Sequence, residues 1–199
     1  MNTTKSALIL VDCQNDFLTE NGALYSAVVD SVTANNVIQN INRSIESARK
    51  QGIPIIFTSM CFSKDYSEMG DNPYGILAAV KQAGAFVRDS WGAGIAEGIN
   101  VREDDIVIQK NTMCTFKQTN LKEILDAQGT NRLVFGGLVT DLCLETSIRS
   151  AYDFGYEAIS LIDCMASLSQ AAHVSSVEDN FPLFSKPMTH DLFIKELTV

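Results

Sequence analysis

The chain has 199 residues, of which 46% are apolar and 20% charged, and this balance predicts one globular domain over residues 1–199. The net charge of −9 disfavours nucleic acids and anionic membranes as partners, because both carry negative charge. The first apolar run, residues 7–11, is too short for a secretion signal or a membrane span, so we expect a soluble cytoplasmic protein.

Strand and helix patterns alternate through the first half of the chain. The apolar run 6–12 ends at a carboxylate and predicts a buried parallel strand. Apolar residues at helical spacing predict one helix from about residue 28 to residue 51, and Gly52 would cap its end. Residues 53–59 predict a second strand, and an irregular polar stretch follows over residues 63–75.

The second half continues this alternation. Further strands are predicted over residues 105–110, 133–135 and 156–162, the last of them ending at Asp163. Further helices are predicted over residues 120–128, 144–152 and 169–179. Such alternation implies right-handed crossovers and helices on both faces of a sheet. We therefore predict the α/β class, as a three-layer α-β-α sandwich with a mostly parallel, doubly wound sheet.

Cys143 is the most informative residue of the sequence. The strand at residues 133–135 runs into Gly136 and Gly137, a short turn follows, and Cys143 then lies in the first turn of a helix. Unpaired N–H groups and the positive end of the helix dipole favour thiolate there, which predicts a pKa below the value of about 8.5 for a free cysteine. The alternative is a buried cysteine that only packs.

Two charged residues are expected near Cys143. Ligands of open α/β sheets bind outside the carboxyl ends of the strands, and Asp12, Lys110 and Cys143 all follow or end predicted strands. A thiol nucleophile needs a nearby cation and a group that handles its proton, and an amide-cleaving site also needs an acid for the departing nitrogen. The alternatives are that Asp12 caps the next segment and that Lys110 is a solvated strand end.

The number and spacing of the cysteines argue against other kinds of site. The chain has five cysteines, an odd number with no C-x-x-C pair: Cys13, Cys61, Cys114, Cys143 and Cys164. This pattern favours reduced thiols over a disulfide framework or a zinc site. We expect Cys114 to be a packing residue.

Three segments, in order along the chain, resemble motifs of one family. Residues 10–17 (LVDCQNDF), Lys110 followed by residues 114–116 (CTF), and residues 137–143 (GLVTDLC) are similar to the first-strand, lysine and nucleophile motifs of the isochorismatase-like cysteine hydrolases. This family includes nicotinamidases and ureidoacrylate and biuret amidohydrolases. Residues 90–93 (SWGA) also resemble a segment of the latter two. The resemblance covers most of the chain.

The resemblance implies roles for the site residues. Cys143 is expected to attack the substrate, Asp12 to exchange its proton, and Lys110 to hold the charged pair in place. A cis peptide bond between Leu138 and Val139 is implied as well. The backbone N–H groups of Val139 and Cys143 would then form an oxyanion hole.

The same resemblance indicates substrate-binding residues. Phe17 is expected to line the pocket, with Trp91 as a further candidate, and plain core packing is the alternative for both. The loop at residues 63–75 is a candidate lid, because long irregular loops are often functional.

No metal and no other cofactor are expected. Nicotinamidases bind a metal through histidines after the second strand, and residues 58–74 contain no histidine. We expect His173 to be a helix-packing or capping residue and His190 a surface residue in the first turn of a helix. A metal site built from Asp65, Glu68 and Asp71 is the alternative, although acids in a loop are more often solvated.

The predicted function is hydrolysis of a C–N bond in a small amide or ureido compound through a Cys143 thioester. Two rival functions remain open at this point: a thiol-based redox sensor that uses Cys143, and a catalytically silent family member that acts as a binding or assembly module. The resemblance further implies a homo-oligomer, either a dimer or a tetramer.

Overall fold

The computed structural model describes residues 5–198 and has a six-stranded, fully parallel sheet. The strands are β1 (Ser6–Val11), β2 (Ile55–Met60), β3 (Ile106–Lys110), β4 (Arg132–Leu138), β5 (Glu157–Ala166) and β6 (Lys186–Met188). Their order across the sheet is β3-β2-β1-β4-β5-β6, so the direction of winding reverses between β1 and β4. This is the doubly wound topology that the alternating pattern predicted.

Helices cover both faces of the sheet. They are α1 (Asn15–Leu18), α2 (Tyr25–Ala34), α3 (Val37–Lys50), α4 (Gly75–Ala83), α5 (Leu121–Gln128), α6 (Glu145–Asp153), α7 (Gln170–Ser175) and α8 (His190–Leu197). The central strands are apolar on both faces. In β1, Leu8 and Leu10 belong to one hydrophobic cluster, whereas Ala7, Ile9 and Val11 belong to the other. The predicted α/β three-layer sandwich is therefore confirmed.

Several predicted boundaries were wrong. The single helix predicted over residues 28–51 is two helices, α2 and α3, because Asn36 has a left-handed backbone with φ of 53°. The strand predicted to end at Asp163 continues to Ala166. Helix α4 was not predicted, and it follows directly after the irregular stretch.

The winding reverses between β1 and β4, and each of these two strands leads to one candidate catalytic residue. Asp12 directly follows β1, and the chain that leaves β4 leads to Cys143. Lys110 is the last residue of β3, two strands away from β1. Within residues 5–198, no helix is long and apolar enough to cross a membrane.

Candidate active site

Asp12 is held in an unusual backbone conformation at the end of β1. Its φ is 51°, in the left-handed region that non-glycine residues seldom adopt, and its side chain is fully buried. Its backbone N–H donates to the carbonyl of Thr58 at 2.7 Å, which ties the turn to β2. Such a conformation persists where the surrounding structure holds it, and it is frequent at functional sites.

Lys110 reaches Asp12 across the end of β2. Its Nζ lies 2.9 Å from both carboxylate oxygens of Asp12, and both side chains are fully buried. Only the contact with Oδ2 has hydrogen-bond geometry, so Oδ1 of Asp12 has no hydrogen bond among the described residues. The same Nζ lies 2.9 Å from Sδ of Met60 and donates to the carbonyl of Thr112 at 3.2 Å. The ammonium group is thus surrounded by acceptors of this chain.

The end of β4 permits the close packing that brings Cys143 to Asp12. Gly137 has a φ of 119°, and a Cβ at this position would lie 2.0 Å from the backbone oxygen of Val11 on the adjacent strand. Only glycine fits there. The Leu138–Val139 peptide bond is cis. A π-helical turn at Thr140–Leu144 follows, which contains Cys143 and leads directly into α6.

Two side chains fix this π-helical turn. Ser147 donates to the carbonyl of Cys143 at 2.6 Å and accepts from the N–H of Thr115 at 3.0 Å, so it joins the turn to the segment after Lys110. Thr140 pairs with Nδ1 of His173 at 2.9 Å, and His173 is buried. His173 therefore packs against the site as part of the core, in agreement with its expected packing role.

The pKa of Cys143 is raised, which is the opposite of the predicted direction. Burial of the thiol is the largest cause, the charge of Lys110 lowers the pKa in part, and the carboxylate of Asp12 raises it. The backbone N–H of Val139 also faces the sulfur and lowers the pKa. The cost of charging a buried sulfur outweighs the stabilisation that a helix terminus gives to a thiolate.

The other two groups share this electrostatic environment. Burial raises the pKa of Asp12, and Lys110 offsets part of that shift. Burial acts to lower the pKa of Lys110, but the Asp12 carboxylate and the Cys143 side chain outweigh it, and the net direction is upward. The resting site therefore holds a charged Lys110, a thiol at Cys143, and a carboxyl group that binds a proton more readily than usual.

A small cavity lies over Cys143. Its volume is about 20 Å³, which is room for roughly one water molecule. It is lined by Asp12, Phe17, Met60, Ile76, Leu77, Val80, Phe86, Met113, Val139, Leu142 and Cys143.

Of the two predicted substrate-binding residues, Phe17 lines the cavity and Trp91 does not. Phe17 lies in the wall of the cavity and its ring packs against Phe86, with ring centres 5.0 Å apart. Trp91 does not line the cavity; its side chain is 47% exposed and its indole N–H donates to Glu97 at 2.8 Å. The backbone of the segment containing Trp91 instead accepts hydrogen bonds from Asn15 and Asp16, the first two residues of α1.

The cover of the cavity is α4 and not the predicted lid loop. Ile76, Leu77 and Val80 of α4 point into the cavity, whereas no residue of the loop 63–75 lines it. Tyr66 is buried and donates to the carbonyl of Ala85 at 2.8 Å, which anchors that loop. Sequence reasoning missed α4 because its apolar face is short and follows an irregular segment, although Ile76, Leu77 and Val80 have helical spacing.

Gln14 is another residue whose role the sequence did not reveal. It is fully buried, and its amide forms a two-way contact with the backbone of Met60, accepting from the N–H and donating to the carbonyl, both at 2.8 Å. It also donates to the carbonyl of Ala93 at 2.8 Å. Gln14 therefore fixes the end of β2 beside Asp12 and Lys110.

The acidic loop residues have partners of their own. Asp65 accepts from Ser63 at 2.6 Å, and Glu68 accepts from the same hydroxyl at 2.7 Å and lies 3.6 Å from Arg88. The hydrogen bonds from Ser63 hold the pKa values of both carboxyls below their usual range. Across residues 5–198, no group of three or more His, Cys, Asp or Glu side chains is arranged to hold a metal ion.

His190 is not the surface residue that was predicted. It is 5% exposed, and its Nδ1 pairs with Asp163 at 2.7 Å while its Nε2 lies 2.6 Å from a guanidinium nitrogen of Arg43. The side chain is buried because His190, the first residue of α8, packs between Asp163 of β5 and Arg43 of α3. The prediction failed because β5 extends past Asp163 and brings that carboxylate beneath the start of α8.

A profile described as the isochorismatase domain matches residues 6–191. Among curated proteins, the chain is 30% identical over 196 residues to the ureidoacrylate amidohydrolase RutB of Rhizobium rhizogenes, covering 91% of this chain and 80% of that protein.

Solved structures share the fold. A cysteine hydrolase from Pseudomonas syringae pv. phaseolicola superimposes with a TM-score of 0.86 at 23% identity, over 100% of this chain and 94% of that one. N-carbamoylsarcosine amidase from Thermoplasma acidophilum superimposes with a TM-score of 0.70 at 20% identity, over 94% of this chain and 98% of that one. At these identities the likeness concerns the fold.

Proposed function

This chain belongs to the isochorismatase family, and on that premise we propose that it is a cysteine-dependent amidohydrolase that cleaves small amide or ureido compounds through a Cys143 thioester. It is a hydrolase of non-peptide C–N bonds, as its similarity to ureidoacrylate amidohydrolase indicates. One observation carries the finer proposal: the buried carboxyl group of Asp12 lies beside the buried thiol of Cys143, and its Oδ1 accepts no hydrogen bond from the described residues.

The first half of the cycle uses the Asp12 carboxylate as the base. Asp12 takes the proton from the Cys143 thiol while the sulfur attacks the carbonyl carbon and the carbonyl π electrons move to oxygen. When the tetrahedral intermediate collapses, the C–N bond breaks and Asp12 returns the proton to the departing nitrogen. Because burial raises the pKa of Asp12, the carboxyl group is suited to both the acceptance and the return of a proton.

The second half hydrolyses the thioester. Asp12 takes a proton from water as the water oxygen attacks the thioester carbon, and the carboxylic acid product leaves as the proton returns to sulfur. Lys110 stays charged throughout and offsets the negative charge that is shared between Asp12 and Cys143. Lys110 is thus proposed as the electrostatic partner of the pair.

The backbone N–H of Val139 supports the proposed oxyanion hole. It faces the sulfur of Cys143, next to which the substrate oxygen would develop negative charge. Together with the N–H of Cys143 it would supply two donors to that oxygen. Loss of one such donor typically slows a reaction about a hundredfold or more.

An ammonia-release assay tests this function. Wild-type protein is incubated with a panel of small amides and ureido compounds, and the Cys143→Ala and Asp12→Asn variants are the matched blanks. We expect release by the wild type and none by either variant. Equal release by Cys143→Ala would rule out the thioester mechanism, and mass spectrometry of a quenched reaction should show the acyl group on Cys143.

The rival functions receive less support from the site. Redox-sensing cysteines are exposed and have a low pKa, whereas Cys143 is buried and its pKa is raised. A silent binding module would give no ammonia release with any compound of the panel. Homo-oligomer formation, cytoplasmic location and the absence of a metal stay predictions, and light scattering, fractionation and elemental analysis measure them.

A further inference from the structure

We infer that the acyl group of the substrate is uncharged and apolar, so that this site selects against amides and ureido compounds that carry a carboxylate. The inference rests on the proposed amidohydrolase function and concerns the same cavity. It differs from what the name of the relative RutB denotes, because ureidoacrylate is itself a carboxylate.

The wall of the cavity supplies no charge for a carboxylate. Apart from Asp12 and the Cys143 thiol, its lining consists of hydrophobic side chains: Phe17, Met60, Ile76, Leu77, Val80, Phe86, Met113, Val139 and Leu142. Hydroxyl, amide and guanidinium side chains are all missing from this set. A carboxylate on the acyl group would lose its hydration without gaining a hydrogen bond from any side chain of the apolar wall.

The cations near the site are already paired. Lys110 does not line the cavity; it is fully buried, and its ammonium group is taken up by both oxygens of Asp12, Sδ of Met60 and the carbonyl of Thr112. Arg88 does not line the cavity; its side chain is 53% exposed and pairs with Glu68 at 3.6 Å. The buried carboxylate of Asp12 would moreover repel a second carboxylate.

The same wall suits a small hydrocarbon group. Met60 and Met113 are flexible and adapt to irregular shapes, and Phe17 and Phe86 offer flat apolar surfaces. With a volume of about 20 Å³ the closed cavity holds no substrate, so these side chains must move apart on binding. Met113 is 37% exposed and stands between the cavity and solvent, which makes it the position where a new charge would meet the substrate.

Matched substrates that differ only in charge test the inference. One pair is 4-methylpentanamide and succinamate, and the other is (3-methylbutyl)urea and 3-ureidopropanoate, because an isopropyl group and a carboxylate have similar shapes. Ammonia release gives kcat/KM for each compound. In whichever pair is hydrolysed, we expect kcat/KM to be about a hundredfold or more higher for the neutral compound than for the carboxylate, since burial of an unpaired charge is strongly unfavourable. An equal or higher kcat/KM for the carboxylate would overturn the inference.

A charge introduced at Met113 should change this preference. In Met113→Lys, an ammonium group of similar length enters the rim of the cavity, and kcat/KM for the carboxylate member should rise at least about tenfold relative to the neutral member. Met113→Leu is the matched control and should keep the preference of the wild type. No change in Met113→Lys would show that the acyl group lies elsewhere.

A second measurement does not depend on turnover. Iodoacetamide and iodoacetate alkylate thiols and differ in charge, and trypsin releases residues 133–149 as a peptide whose only cysteine is Cys143. Relative to 2-mercaptoethanol, Cys143 should favour iodoacetamide at least about tenfold. If this holds while no compound is hydrolysed, the amidohydrolase proposal fails and the charge preference stands. A preference for iodoacetate would overturn the inference even if the amides are cleaved.

Discussion

Replacement of Lys110 by methionine should destabilise the protein in a strongly pH-dependent way. The Lys110→Met variant keeps most of the buried volume but leaves Asp12 as a buried carboxylate with no cation. In the native structure the ammonium lies 2.9 Å from both carboxylate oxygens, and the side chains of both residues are fully buried. The variant therefore isolates one charge in a site from which water is largely excluded.

The size of the effect follows from this geometry. Two unit charges 2.9 Å apart attract one another by about 6 kcal/mol at an effective dielectric constant of about 20. Part of this attraction only offsets the cost of burying both charges. Removal of one partner of a buried pair typically costs about 3–5 kcal/mol, because the other charge stays behind. We expect a loss of that size from the free energy of unfolding at pH 7.

The pH dependence distinguishes this reasoning from simple loss of packing. Burial already raises the pKa of Asp12, and loss of Lys110 removes the main influence that lowers it, so the pKa rises further in the variant. A carboxyl whose pKa is higher in the folded state stabilises the fold below its unfolded pKa, and this contribution is lost as pH rises through the folded pKa. Relative to wild type, Lys110→Met should thus recover stability as pH falls from 7 towards 4.

Urea unfolding of four proteins measures the effect: wild type, Lys110→Met, Asp12→Asn and the double variant. The double variant buries two neutral groups and should be more stable at pH 7 than Lys110→Met alone, with a coupling energy above about 1 kcal/mol. Additive losses that do not change with pH would refute the reasoning. If Lys110→Met does not fold at pH 7, the comparison begins at pH 5.

Three further predictions concern residues around the site. Gly137→Ala should prevent folding or lower the free energy of unfolding by more than about 3 kcal/mol, because its Cβ would meet the oxygen of Val11 at 2.0 Å. Gly155→Ala is the control: its φ is also positive but the space around it is open, so thermal unfolding should show a loss of only about 1 kcal/mol. Burial lowers the pKa of His173 below its usual 6.5, so the free energy of unfolding of the wild type should fall as pH drops below 6.5. His173→Gln should lose that part of the pH dependence, and parallel curves of unfolding free energy against pH for the two proteins would contradict this. Gln14→Leu leaves backbone groups of the β2 end without partners and should cost about 1–3 kcal/mol and lower kcat, whereas unchanged kcat would show that this clamp does not position the site.

Local sequence was sufficient for five of the six strands, all but β6, and for the candidate catalytic residues. A short apolar run that ends at Asp12, a strand that ends at Lys110, and a strand, two glycines and a turn before Cys143 are all read within a few neighbouring residues. Because parallel strands end at one edge of a sheet, these local patterns were enough to predict that the three side chains lie together.

Other features depended on contacts between distant segments. Asp163 and His190 are 27 residues apart, and their pairing follows from the extension of β5 beneath α8. Likewise, the wall of the cavity brings together α1, α4 and the segment after β3, and no single stretch of sequence indicates which of their side chains face Cys143. Trp91 lies outside this wall, and its sequence could not show that, since a short motif does not specify which way a side chain points.

The sequence by itself determined five of the six strands, the doubly wound class of the sheet and the identity of the thiol, carboxylate and ammonium groups at its edge, because strand and helix periodicity is local. Only the tertiary structure decided the protonation of that site. The proximity of a helix terminus predicted a thiolate at Cys143, whereas burial raises the pKa and keeps the thiol protonated. Burial is the sum of many long-range contacts, and the free energy of a charge depends on that sum more than on the sequence around it.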